Sequence, residues 1–367
     1  MAFRTYPERK KCRDLSKHSE EIYSKLSDQE SKDWFHARER LTLQGDDSLY
    51  REYFRKYNFS FRDGDIKYLT EFYPKEAKLL IFGTGDCGKY SHYILSHSEL
   101  SSRILGFMDS HQEKWGGSCQ DLPIFSPNKV KSFEEDIVII IAEDKSDVKD
   151  SYQLLARLGF DQKKLYLPMY DRLVAITGLQ YFDAFTPHDH EIFVDAGSYD
   201  GQNSVDFVKW CKGRCDKIYA FEAGSENAKI CENTISSLGI PFEVCSAACW
   251  SEEGTLSFAG DFETQISAGA SVGSSGTVQV PAQSIDNLLD GQPVTFIKMD
   301  IEGSELAALH GAEQSIRKYR PRLAICIYHK PEDVYEIPLY ILSLIPDYKF
   351  TIRHYSANQW ETVLYAE

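Results

Sequence analysis

The chain has little positive charge, no long apolar run and no closely paired cysteines, and each absence removes a class of function. Lys and Arg number 41 against 56 Asp and Glu, a formal net charge of −15. That balance argues against nucleic-acid or anionic-membrane partners, both of which select basic surfaces. No apolar stretch approaches the roughly 20 residues that span a bilayer. The opening MAFRTYPERKKC lacks the apolar core of a secretory signal. The nine cysteines form no CxxC pair, and the CxxxC spacings at 211/215 and 245/249 are weak metal signals. Cys87 and Cys326 lie in or beside apolar runs, as reduced buried thiols do. A cytoplasmic protein without disulfides is expected.

What is present is an ordinary globular composition, 42% hydrophobic and 26% charged, over 367 residues. That length accommodates two domains and a small extension. Residues 1–76 are polar, and SDQESKDWFHARERLTLQ starts with Ser27 and has Glu30 three positions on, a capping-box pattern. Trp34, Phe35 and Leu41 then recur at helical spacing, so a helical N-terminal extension is expected to pack on its neighbour or on a second subunit of a homo-oligomer. Residues 77–168 alternate strand and helix signals (KLLIFGTG, RILGFMDS, DIVIIIAED), which reads as a smaller Rossmann-like α/β domain. After a connector, 169–187, the plan repeats in 188–367 with EIFVDAG, KIYAFEA, PFEVCSAAC, TFIKMD and RLAICIYH. The closing YKFTIRHYS and ETVLYAE alternate about a polar turn and predict an antiparallel hairpin. Parallel βα units closed by a hairpin predict a class I, seven-stranded methyltransferase-type sheet. The small-residue stretch 259–279 reads as a loop.

Each domain has a glycine turn. In the first, Gly83, Gly85 and Gly88 satisfy GxGxxG, and Asp109 follows 21 residues after Gly88, where a dinucleotide site holds a ribose hydroxyl. Asp86 inside that loop would repel a pyrophosphate. The alternatives are a nucleotide site and a scaffold whose glycines serve only strand–helix packing.

The second turn, VDAGSYDG, has a different charge logic. Asp195 precedes Gly197 and Gly201 as DxGxxxG, with Ser198 and Tyr199 between the glycines. A carboxylate there disfavours pyrophosphate and suits the ammonium and sulfonium of S-adenosylmethionine, and glycine permits close backbone approach. Glu222 ends the next strand 21 residues beyond Gly201, the position of a ribose acceptor. The third strand ends in CSAAC, whose Ser246 and Ala247 are small enough to flank an adenine.

With VDAGSYDG (194–201), YAFEA (219–223), FIKMDIEGSELAALHGA (296–312) and LAICIYHKPEDVYEIP (323–338) in place, the sequence resembles the FkbM-type methyltransferase family. The resemblance covers about half the chain, from 188 to 367, and KMDIEGSE is its most specific piece. Members usually read FEP where this chain has Phe221-Glu222-Ala223, so the proline is absent and the acid kept. The resemblance implies S-adenosylmethionine-dependent O-methylation, often of sugars or hydroxylated natural products. The 77–168 segment is similar to Rossmann-like domains beside sugar-modifying enzymes.

Strand carboxyl ends face the ligand crevice in such sheets. His329 and Asp300 end neighbouring strands and are the expected general base and the substrate-binding or orienting group. Glu302 reads as a helix-start acid complementing the dipole. Lys298, inside an apolar strand, either pairs with a buried acid or reaches toward substrate. Tyr328 and Tyr199 are candidate stacking residues. Asp300, Glu302 and His329 could supply metal ligands, but no spacing demands a metal and none is expected. Two other functions compete: an NAD-dependent sugar oxidoreductase or epimerase using the 83–109 loop, which has no YxxxK pair to support it, and a non-catalytic S-adenosylmethionine-binding module. The acceptor, a small molecule or glycan, is not encoded in any motif.

Overall fold

The computed structural model describes residues 9–57, 59–142, 148–166, 180–259, 271–272, 278–355 and 359–367. Most of the expected 259–279 loop, and residues 169–179 of the expected connector, lie outside them. Two compact units emerge: Met1–Leu49 with Leu179–Glu367, and Tyr50–Gly178. The expected 1–76 extension is thus divided between units.

In the Tyr50–Gly178 unit, β-branched runs form a sheet in the order Ser118–Cys119, Leu122–Phe125, Ile104–Met108, Lys78–Phe82, Ile137–Ile141, Leu165–Tyr166. Four of the five pairings are parallel, and the one between Ser118–Cys119 and Leu122–Phe125 is antiparallel. Both faces are covered. Leu79 and Ile81 join one core cluster, and Leu80 and Phe82 join the other. This explains why the strands read as continuous apolar runs.

The larger unit holds seven strands: β1 Glu191–Ala196, β2 Cys215–Phe221, β3 Phe242–Cys245, β4 Phe296–Met299, β5 Arg322–Cys326, β6 Phe350–His354 and β7 Thr362–Ala366. Their order is β6-β7-β5-β4-β1-β2-β3. β1 to β5 run parallel, and β7 lies antiparallel to both β5 and β6. The order reverses between β1 and β4, which makes the carboxyl ends of these two strands the switch point where α/β sheets bind ligands. Helices α1 Gln202–Trp210, α2 Ser225–Ser236, α3 Glu305–His310 and α4 Asp333–Leu344 cover the faces. A small second sheet, built from 248–249, 254–259, 271–272 and 278–283, stands beside β3 in the chain. At the opposite end of the main sheet, buried Arg322 of β5 pairs with Glu191 of β1 at 2.5 and 2.6 Å.

The N-terminal helix Gln29–Gln44 packs on β6 of this unit. Its cap is Asp28, one residue after the Ser27 that the capping-box pattern selects. The Asp28 carboxylate accepts from Ser31 N at 2.8 Å, while the Ser27 hydroxyl pairs with Thr351 Oγ1 at 2.7 Å. Arg353 of β6 donates to Asp28 at 2.7 Å, which ties cap to sheet. Further along, buried Arg38 donates to the Tyr328 carbonyl at 2.7 Å and so braces the end of β5.

Burial opposes ionisation of Asp28, yet Arg353 and Ser31 together lower its pKa to about 2. A depressed carboxyl stabilises the fold above its unfolded pKa of about 4 and loses that contribution as pH falls through the folded value. Asp28→Ala should therefore cost on the order of 1 kcal/mol of stability at pH 7, a typical cap loss. Urea midpoints for the variant and the parent should converge as pH drops from about 4 toward 2; an equal gap at both ends would contradict the assignment.

Candidate active site

Beyond the β1 carboxyl end the chain makes two left-handed glycine turns, at Gly197 (φ 79°) and Gly201 (φ 82°). A Cβ on Gly197 would lie 2.0 Å from the Asp300 carbonyl oxygen, so the β1 and β4 loops meet only because this residue has no side chain. Gly201 caps α1, with the Cys231 carbonyl 3.1 Å from where its Cβ would be.

Asp195 does not reach the ligand space that its motif suggested. It is fully buried and accepts from Lys298 Nζ at 3.0 Å and from Ser204 Oγ of α1 at 2.9 Å. The two residues are register partners on β1 and β4. Lys298 also donates to the Gly197 carbonyl at 2.7 Å, so the ammonium holds both the acid and the loop. Burial disfavours its charge, but Asp195 and Asp300 outweigh that and its pKa is raised. Of the two readings open for Lys298, the buried pair is the one formed. The charge logic applied to Asp195 is thereby corrected: its negative charge is offset internally before any ligand arrives.

An open cleft lies over these strand ends. Of the expected cofactor residues, Gly197, Tyr199, Glu222, Ala247 and Asp300 line it. Asp195, Ser198, Gly201 and Ser246 do not; buried Ser198 instead donates to the Phe221 carbonyl at 3.2 Å. Glu222 is held in place by Tyr199 N at 2.9 Å and Gly224 N at 2.8 Å, one on each carboxylate oxygen. Burial raises its pKa against these two bonds. Each oxygen keeps lone pairs for a further donor from the cleft. Ala247 and Ala248 form a small-residue wall, and Phe258 of the second sheet adds an aromatic surface that no motif indicated.

At the other end of the cleft Asp300 accepts from the Tyr181 hydroxyl at 2.7 Å and the Tyr328 hydroxyl at 3.1 Å. Burial opposes its ionisation, but Lys298 and His329 prevail and its pKa is lowered. Tyr181 comes from the expected connector, which thus supplies part of the site as well as the buried rings of Phe182 and Phe185. Its only sequence signal is an aromatic run, YFDAF. His329, with its side chain 7% exposed, sits among three acids: Nδ1 is 2.9 Å from Glu305, and Nε2 is 3.5 Å from Asp300 and 3.6 Å from Glu302. Glu305 is fully buried and also accepts from Ile301 N at 2.9 Å. Burial works against an imidazolium here, but the acids raise the His329 pKa to about 9. Near pH 7 only about one ring in a hundred would be neutral. The surrounding carboxylates favour the imidazolium, which weighs against the base role expected for the resting side chain. Glu302, expected as a bland helix-start acid, lines the cleft and faces His329 from a left-handed backbone (φ 56°).

In the smaller unit the first glycine turn is taken up by its own packing. A Cβ on Gly88 would stand 2.0 Å from the Gly83 carbonyl. Asp109, the expected ribose acceptor, already accepts from Thr84 Oγ1 at 2.5 Å, Lys114 Nζ at 2.8 Å and His111 N at 2.9 Å. Burial opposes its charge, and those three partners hold its carboxyl well below the usual range. The scaffold alternative fits these contacts, and Gly85, with open space where its Cβ would be, is the glycine left unexplained by packing.

Breaking the buried pair should be costly. Lys298→Met leaves Asp195 uncompensated, and a loss of about 3–5 kcal/mol is expected in chemical denaturation. Lys298→Met combined with Asp195→Leu should lose less than Lys298→Met alone; a double variant that is worse by the full sum of the singles would show that the two residues act independently.

Residues 195–352 match the FkbM methyltransferase domain, and residues 75–166 match the N-terminal domain of C2185-like proteins. No curated protein matches the chain at a significant level. Among solved structures, a methyltransferase FkbM from Methylobacillus flagellatus is 21% identical over 84% of this chain and 99% of its own, with a TM-score of 0.47. A protein of Clostridium thermocellum provisionally assigned as an rRNA methylase is 10% identical over 52% of this chain and 91% of its own, TM-score 0.32. A protein of Streptococcus mutans provisionally assigned as a methyltransferase, solved in complex with SAH, is 10% identical over 53% of this chain and 96% of its own, TM-score 0.33. From the end of β1 into β6, residues 195–352 thus form an FkbM-type methyltransferase domain.

Proposed function

We propose that the chain transfers a methyl group from S-adenosylmethionine to a hydroxyl of a sugar, a glycan precursor or a similar hydroxylated metabolite. One observation carries this reading: the cleft at the switch point is walled by Glu222, fixed by two backbone N–H groups, by the small residues Ala247 and Ala248, and by the Gly197 backbone. That donor and acceptor set fits a nucleoside. Glu222 would accept from ribose hydroxyls, the alanines would flank the base, and the Gly197 turn would lie against the amino-acid part. S-adenosylmethionine supplies a methyl group already activated by its sulfonium, so this chain's residues need mainly to position an oxygen and manage its proton.

Asp300 and His329 are assigned that task. Asp300 lines the cleft as a carboxylate, pinned by two tyrosines, and is suited to accept a hydrogen bond from the acceptor hydroxyl. His329 acts through Asp300 and Glu302 and orients them; it removes a proton itself only in its neutral form. The negative edges of the cleft favour an uncharged or cationic reactant over a phosphate anion. This supports S-adenosylmethionine over NAD, as does the internal engagement of Asp109.

Glu222→Gln should weaken S-adenosylhomocysteine binding by about tenfold in calorimetry, the scale of one charged hydrogen bond. Asp300→Asn should change that affinity by less than about threefold while lowering turnover by roughly 10²–10⁴, the range of proton-handling groups. Transfer is followed as S-adenosylhomocysteine released with simple sugars as acceptors. Parent-like affinity in Glu222→Gln, or parent-like turnover in Asp300→Asn, would contradict the assignment.

A further inference from the structure

The geometry points to a divalent-cation site at the acceptor end of the cleft, formed by His329 Nε2, Asp300 Oδ1 and Glu302 Oε2, with Glu305 orienting the imidazole. This rests on the methyl-transfer reading only for its use; the ligand set stands by itself. His329 is 7% exposed on its side chain, and its two nitrogens have different surroundings. Nδ1 lies 2.9 Å from Glu305, a buried carboxylate whose orientation is fixed by Ile301 N. A buried carboxylate paired with one ring nitrogen resembles the outer shell of metal-ligating histidines and leaves the other nitrogen toward the cleft. Nε2 is aimed between two carboxylates of the cleft wall, at 3.5 and 3.6 Å, beyond hydrogen-bonding distance of either.

A cation with ligand bonds of about 2.1 Å separates adjacent ligands by about 3.0 Å, so bringing His329 Nε2 to that spacing from either carboxylate requires about half an ångström, with Glu302 swinging in from the cleft wall to join Asp300. Asp300 and His329 already gather with the orienting Glu305, one ligand atom of each lying within 4.8 Å of the others. The ligating carboxylate would also keep its own outer shell, since Tyr181 and Tyr328 both donate to Asp300.

Charge points the same way. Asp300, Glu302 and Glu305 converge on one imidazole, while Lys298 is already committed to Asp195 and Gly197. A single proton on His329 leaves this group negative, whereas a divalent ion in its place would neutralise it more fully. One imidazole and two carboxylates on one side of an ion suit Mn²⁺, Mg²⁺ or Zn²⁺. They leave positions open toward the cleft for oxygen ligands, as from a sugar carrying neighbouring hydroxyls. A hydroxyl bound there would be acidified by the ion and would pass its proton to water in the open cleft, with no base role asked of His329.

The test is Mn²⁺ binding to the full-length, chelator-treated protein, read by electron paramagnetic resonance of free Mn²⁺ and by calorimetry. One ion per chain with a Kd below about 100 μM is expected. Glu302→Gln, a change at the cleft wall that leaves the core intact, should weaken it at least tenfold, and His329→Gln should abolish it. No stoichiometric binding up to 1 mM in the parent protein, or unchanged affinity in Glu302→Gln, would overturn the site. S-adenosylhomocysteine affinity measured on the same chelated sample separates the two readings. Cofactor binding without Mn²⁺ binding sinks only the metal site, and Mn²⁺ binding without cofactor binding sinks only the methyl-transfer reading.

Discussion

The larger unit is organised around the buried contact between Asp195 and Lys298. An ammonium with no access to water is tolerable only if it is fully coordinated, and here it has a carboxylate and two backbone carbonyls of the β1 loop. Asp195 in turn takes a hydroxyl from α1. One interaction therefore fixes the spacing of β1 and β4, the exit of the loop after β1 and the seat of the following helix. All three border the switch point of the sheet. Because the acid is consumed internally, the carboxylates left to face the cleft are Glu222 at one end and Asp300 with Glu302 at the other.

Those two carboxylates are held in opposite ways. Glu222 is gripped by backbone N–H groups of adjoining turns, so its position follows from chain geometry. Asp300 is gripped by side chains: two tyrosine hydroxyls and an imidazolium, with further acids behind. Under the proposed reaction, the rigid end would hold the nucleoside and the end rich in protons and charge would face the acceptor. The N-terminal helix contributes from a distance, since Arg38 holds the carbonyl of Tyr328 just where β5 delivers His329.

Much of this was legible in the sequence. Apolar runs ending in an acid or a glycine gave the strands, because a strand covered on both faces has no alternation to hide and its end must turn sharply. Gly197, Tyr199, Glu222, Ala247 and Asp300 followed from that order and do meet in one cleft. What the sequence hid was pairing. Asp195 and Lys298 are 103 positions apart, and only strand register makes them neighbours. Tyr181 sits in a stretch with no periodicity, and its role depends on where a loop passes over β4. His329 was visible as a strand-end histidine, but its protonation is decided by Glu305, Glu302 and Asp300, which a one-dimensional reading cannot weigh. The first glycine turn shows the converse. Its motif and spacing satisfy a dinucleotide pattern, yet Thr84, His111 and Lys114 already occupy the acid that the pattern reserves for a ribose.

The most direct test is a crystal structure of the protein grown with S-adenosylhomocysteine. Ribose hydroxyls on Glu222, the base against Ala247 and Ala248, and the Asp195–Lys298 pair undisturbed beneath are the predicted result. Ligand bound instead at the Gly83–Asp109 turn, or a switch-point cleft that stays closed to it at saturating concentration, would contradict the account.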